Sequence, residues 1–131
     1  MGLAPERLAV SAQILCYPVI DFTAGWPDDP SYARQLTDQE SWSHAQGLVD
    51  AGTPRTFIWA TATDGTVPAG NTLAYAEALL AHGVDCECHV FHQGHHGLSL
   101  ANAQTAKTPE YDQPHVARWL NLALEWLDEE A

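Results

Sequence analysis

Positive charge is scarce in this chain. Only 5 Lys and Arg face 17 Asp and Glu among 131 residues, a formal charge of −12. Such a surface repels polyanions, so nucleic acid and anionic membrane are poor partners. Long apolar runs are missing too: none reaches the roughly 20 residues that span a bilayer. The opening "MGLAPERLAV" has neither the basic start nor the long hydrophobic middle of a secretion signal. A cytoplasmic address is the expectation. Cysteine is limited to Cys16, Cys86 and Cys88, an odd number that argues against a disulfide framework. No repeat or low-complexity tract interrupts the chain. Residues 1–131 suit one domain with a modest core.

Three runs read as strands, the first two with the apolar signature of strands covered on both faces. They are "AQILCYPVI" (12–20), "RTFIWATA" (55–62) and "VDCECHVF" (84–91). Between the first two, 21–53 is polar and turn-rich, a lid-like connection with one short helix expected behind Thr37 and Glu40, spaced as a capping box. "NTLAYAEALLAHG" (71–83) reads as a helix with Leu73, Ala76 and Leu80 facing inward and Gly83 at its C-terminal cap. After Pro114, apolar residues at 116, 119, 120, 123 and 127 have helical spacing. Strand, helix, strand and closing helix make a βαβ unit, so the class is α/β with about three parallel strands and flanking helices.

Chemistry in such sheets gathers at the carboxyl ends of the strands. The second strand runs into "TATDGTVP" (61–68) and the third into "HQGHHG" (92–97). An acid and several imidazoles therefore leave neighbouring strand ends on one edge. Asp64 beside Gly65 also has a plainer reading as a turn aspartate. The soft and borderline ligands Cys86, Cys88, His89, His92, His95 and His96 could suit a metal, yet no C-x-x-C or H-E-x-x-H spacing supports a site. Strand alternation points both cysteines into an apolar layer and His89 the other way. His82, His89 and His92 are expected as partly solvated surface groups. Tryptophans 26, 42, 59, 119 and 126 are core or cap residues by default.

The stretch "TATDGTVPAGNTLAYAEALLAHGVDCECHVFHQGHHGLSLA", with "ILCYPVID", "TPRTFIWAT" and "LALEWL" in order around it, closely resembles the C-terminal part of α/β-hydrolase esterases. The resemblance is in particular to bacterial acetyl-xylan and feruloyl-type esterases and lipase-like hydrolases. It implies an incomplete α/β-hydrolase fold, with Asp64 of D-x-x-V-P as triad acid and His96, directly before Gly97, as general base. A carboxylate on Nδ1 would fix the imidazole tautomer and leave Nε2 to take a serine proton. Gly65 and Gly97 would let the two turns bend. His95 is the alternative imidazole. Trp42 falls in the segment that covers the pocket in such enzymes, where it could face an acyl group or a sugar.

The G-x-S-x-G elbow of this fold is absent from the 131 residues, as is an H-G-G-type oxyanion loop. "GLSLA" around Ser99 follows the histidine and lacks the closing glycine, so it is read as a decoy. The resemblance then implies the C-terminal half of a serine carboxylic-ester hydrolase acting on small esters, which could include acylated sugars, with no cofactor. Two other readings stay open: a non-catalytic remnant or binding module, and a metal-binding domain. Without the preceding strand, the first strand would present a long apolar edge. Self-association, or pairing with the missing N-terminal half through that edge, is expected.

Overall fold

A computed structural model of the chain describes residues 9–37 and 40–129. Strands β1 (Ala12–Cys16), β2 (Arg55–Thr61) and β3 (Cys86–Phe91) form one parallel sheet in that spatial order. Helix α1 (Pro30–Leu36) lies between β1 and β2, α2 (Gly70–Ala81) crosses from β2 to β3, and α3 (Trp119–Asp128) follows β3. The expected α/β class, with three parallel strands and flanking helices, is what the chain adopts.

β2 is the central strand, and every residue from Thr56 to Thr61 is buried. Phe57 and Trp59 pack with Val116, Trp119, Ala123 and Trp126 of the C-terminal segment, and Trp59 stacks on Trp119 at 5.4 Å. Complete burial of a large apolar side chain contributes about 1.5–3 kcal/mol. A second cluster joins Val49, Leu79 and Val84, with Cys86 packed against it. Arg55 pins the end of α3. Its guanidinium lies 4.1 Å from the Trp126 ring centroid, donates to the carbonyls of Trp126 and Glu129, and sits 3.2 Å from Asp85 Oδ2. A cation at this helix end offsets Asp128 and Glu129, which oppose the helix dipole.

Several boundaries differ from expectation for identifiable reasons. The first strand stops at Cys16 instead of reaching residue 20. Tyr17 gives its N–H to the Trp59 carbonyl at 2.6 Å, then takes φ +41, and Pro18 has no donor to continue the ladder. The 21–53 connection has its α-helix earlier than expected: Asp29 accepts from the Ser31 N–H at 2.8 Å at the start of α1. Residues 40–43 and 45–48 are 3-10 turns on either side of a bridge between Asp21 and His44. The capping box from Thr37 runs through residues 38 and 39, which lie outside the described residues.

The inward face of α2 is Asn71, Thr72, Ala76 and Leu79, while Leu73 and Leu80 are 54% and 65% exposed. Asn71 sets this rotation. Its Oδ1 accepts from the N–H groups of Ile20 and Asp21, at 3.0 and 2.9 Å, so a polar residue has to face inward. Gly83, at φ +70, closes α2 as expected: the Val84 N–H bonds the Leu79 carbonyl at 3.0 Å and the Gly83 N–H bonds Leu80 at 3.1 Å. In α3, Trp126 is buried and Leu127 is exposed, the reverse of the expected stripe at that end. On β3, Cys86 is half-buried but Cys88 is exposed, because β3 is an edge strand and the apolar cluster under α2 ends at Cys86.

Candidate active site

Three loops meet at the carboxyl edge of the sheet. The loop after β2 carries Asp64, whose side chain is fully buried. Its Oδ1 accepts from the backbone N–H groups of Thr66 and Val67 at 2.8 and 2.9 Å, a local turn that folds D-x-x-V-P onto its own carboxylate. Its Oδ2 meets His96 Nδ1 at 2.8 Å across 32 positions of sequence. A buried carboxylate tolerates desolvation only with donors of this kind. With Nδ1 donating to Asp64, Nε2 is the ring nitrogen that can accept a proton, and the imidazole is 31% exposed.

Gly94 locks the acid loop to the histidine loop. Its carbonyl accepts from Thr61 Oγ1 at 2.8 Å and Thr63 Oγ1 at 3.2 Å, and its N–H donates to Thr63 Oγ1 at 2.9 Å. No larger residue fits: a Cβ here would come within 2.7 Å of Leu98 and 2.8 Å of Thr61. Gly97 has the left-handed backbone expected of it, φ +76. Gly65 does not: its backbone is outside the positive-φ set and a Cβ would meet open space. The turn bends through the Asp64 hydrogen bonds instead.

Tyr17, at the end of β1, backs the imidazole. Its ring meets His96 edge-on at 4.9 Å and Trp59 at 5.0 Å, and its hydroxyl accepts from the Ser99 N–H at 3.2 Å. The Ser99 carbonyl accepts from Trp119 Nε1 at 3.0 Å. Ser99 thus takes part in the fold through its backbone, at φ +55. Tyr17 and Gly94 were not singled out from sequence. The only trace was the last aromatic before Pro18 and a second glycine in "HQGHHG".

The remaining imidazoles have separate surroundings. His95 is exposed and stacks on Tyr111 at 5.3 Å, so His96 is the one of the pair that reaches the carboxylate. His92 and His82 are exposed, and the His82 Nδ1 bonds the Ala78 carbonyl at 2.9 Å. His89 is half-buried, paired with Glu87 at 2.7 Å and stacked on Phe91. Among the described residues no group of three or more His, Cys, Asp or Glu side chains is disposed to hold a metal ion. Burial raises the half-buried Cys86 thiol to about 11, with the charges of Cys88, Asp85 and Glu87 adding to the effect. Trp42 is 58% exposed. Among the described residues no helix is long and apolar enough to cross a membrane.

The profile of the prolyl oligopeptidase family matches residues 12–128. A carboxylesterase from Lactobacillus plantarum is 44% identical with a TM-score of 0.87, over 89% of this chain and 43% of that one. A sugar hydrolase from Lactococcus lactis is 44% identical with a TM-score of 0.84, over 90% and 47%. An acetyl ester-xyloside bifunctional hydrolase from Caldicellulosiruptor lactoaceticus is 33% identical with a TM-score of 0.66, over 90% and 43%. The endo-1,4-β-xylanase B of Butyrivibrio fibrisolvens is 37% identical over 108 residues, 75% of this chain and 17% of that protein. The chain therefore spans less than half the length of these relatives. With its three-stranded parallel sheet and flanking helices a partial version of their fold, the chain belongs to the prolyl oligopeptidase family of α/β hydrolases.

Proposed function

We propose that this chain is the acid- and base-bearing half of a serine carboxylic-ester hydrolase. Asp64 orients His96 and stabilises its imidazolium; His96 Nε2 takes the proton of a serine hydroxyl as the serine attacks the ester carbonyl, then returns it to the leaving alcohol. The serine and the oxyanion donors come from a second half, which pairs with the free edge of β1. One observation carries the reading: a fully buried carboxylate, held by two backbone N–H groups, bonded at 2.8 Å to a partly exposed imidazole. Esters are favoured over peptides because carboxylesterase, sugar hydrolase and acetyl ester-xyloside hydrolase describe the solved relatives. An acylated sugar is the substrate class in view. Residues 1–131 act as one unit, with 21–53 as the lid-like part, in a cytoplasmic setting.

A chimera tests this. Residues 12–128 are joined to the N-terminal portion of the Lactobacillus plantarum carboxylesterase, and p-nitrophenyl acetate hydrolysis is measured. The 131-residue chain alone should show no rate above background, whereas the chimera should turn over. Asp64→Asn and His96→Ala should each then depress turnover by roughly a thousandfold or more. Full activity in His96→Ala would reject the assignment, and loss in His95→Ala alone would transfer the role to the neighbouring imidazole.

A further inference from the structure

The segment after β1 folds back over the Asp64 turn and borders an open groove of about 390 Å³, lined by Trp26, Asp28, Asp29 and Tyr32 together with Gly65 and Thr66. The groove is built against the D-x-x-V-P turn. A Cβ on Gly25, at φ +90, would come within 2.8 Å of Pro68, so only glycine lets the chain lie this close to the D-x-x-V-P turn. Asn71 Nδ2 donates to the Ala24 carbonyl at 3.2 Å and fixes the same stretch to α2. Thr66, in the groove lining, gives its N–H to Asp64 Oδ1. Whatever fills the groove therefore rests on the residues that hold the acid in place.

The lining narrows the ligand chemistry. Trp26 and Tyr32 offer aromatic faces, and Tyr32 is 55% exposed. An alkyl or aryl occupant would use those faces but strip water from Asp28 and Asp29 without giving them donors, which is costly. An anion would meet two carboxylates on a chain of net charge −12. A neutral sugar satisfies both: its C–H face lies on the rings while its hydroxyls donate to carboxylates and to backbone carbonyls. Asp29 accepts from the Ser31 N–H at 2.8 Å and from the Ser31 hydroxyl, yet its carboxylate is exposed and has lone pairs left for a sugar hydroxyl.

We propose that this groove is the subsite for a neutral sugar moiety of the ester, with Trp26 and Tyr32 as stacking residues and Asp28 and Asp29 as hydroxyl acceptors. The inference rests on the esterase reading, and assigns its alcohol portion. The isotope-labelled 131-residue chain is titrated with xylotriose and followed by NMR. The Trp26 indole and the Gly65 and Thr66 amides should shift, with dissociation in the roughly millimolar range usual for so few contacts. Tyr32→Ala and Asp28→Asn should each weaken binding about two- to tenfold. Unchanged spectra, shifts that map elsewhere, or binding of tetramethylammonium in place of xylotriose would overturn the subsite. The His96 Nδ1 proton reports separately. Sugar binding without its low-field signal keeps the groove as a sugar site and removes the dyad; the signal without sugar binding does the opposite.

Discussion

Gly94→Ala probes the contact that holds the acid loop to the histidine loop. The added Cβ would lie 2.7 Å from Leu98 Cδ1 and 2.8 Å from Thr61 Cγ2. Leu98 and Thr61 are 1% and 2% exposed, so neither can swing into solvent. Overpacking of this kind costs about 1–3 kcal/mol. If the loop yields instead, the Gly94 carbonyl leaves the Thr61 and Thr63 hydroxyls, and a buried hydroxyl without a partner costs about 1–3 kcal/mol. The two outcomes are alternatives; with backbone strain at φ +153 added, the net destabilisation is about 2–4 kcal/mol. At roughly 4 °C per kcal/mol for a domain of this size, Tm should fall by about 8–16 °C. Gly97→Ala meets nothing within 4 Å and loses only its left-handed backbone, φ +76, which costs about 1–2 kcal/mol. Gly65→Ala has neither constraint and should stay within about 0.5 kcal/mol. Circular-dichroism melts of the three variants in parallel, with the His96 Nδ1 proton followed in Gly94→Ala, decide the matter. A Gly94→Ala Tm within about 2 °C of the parent, or a larger loss in Gly65→Ala, would refute this account of the loops.

Three further outcomes are expected. Among the described residues the edge of β1 away from β2 has no strand partner, so sedimentation velocity should show a dimer or larger species, and Ile14→Lys, which adds a charge at an exposed position of that strand, should shift it to monomer; a monomeric parent chain contradicts edge pairing. Asn71→Ala should lower the urea midpoint by the equivalent of about 2–3 kcal/mol at unchanged m, since it strands the N–H groups of Ile20 and Asp21 and frees the Ala24 carbonyl; an unaltered midpoint would mean that the segment after β1 is held by other contacts. Burial pushes Asp21 up, but donors on Thr23, His44 and Gln46 outweigh it and hold its carboxyl well below the usual range. A depressed folded value gives stability that is complete above the unfolded pKa, near 4, and lost as pH falls toward the folded value, so Asp21→Asn should flatten the acid limb of stability below about pH 4; parallel limbs would remove Asp21 from that role.

Where a side chain acts through burial along one element, sequence showed the outcome well. The run at 55–62 reads as doubly covered because Phe57, Ile58 and Trp59 need apolar neighbours on both faces, and β2 is indeed the central strand. Errors came where hydrogen bonding outranked hydropathy. Leu73 and Leu80 are the obvious inward leucines of α2, yet Asn71 turns the helix because two backbone N–H groups of the chain after β1 need its carbonyl oxygen. No periodicity in residues 71–83 records a demand that originates at residues 20 and 21. Cys88 departs from the expected apolar layer for a related reason: alternation gives the face of a strand, but an edge position decides whether anything covers that face.

The same division runs through the candidate site. Asp64 and His96 were legible because each sits in a short motif at a strand end, and parallel strands bring those ends together. Gly94 and Tyr17 were not, since one acts by absence of volume and the other by a backbone angle. Tyr17 shows why this matters. The residue that ends β1 with φ +41 also touches His96, Trp59 and the Ser99 backbone. The strand whose outer edge has no strand partner among the described residues is therefore the strand that leads into the wall behind the imidazole. A chain that adds to this edge, as proposed, would extend the sheet beside Tyr17, whose ring backs His96. On that proposal, docking at β1 and the setting of His96 meet at Tyr17.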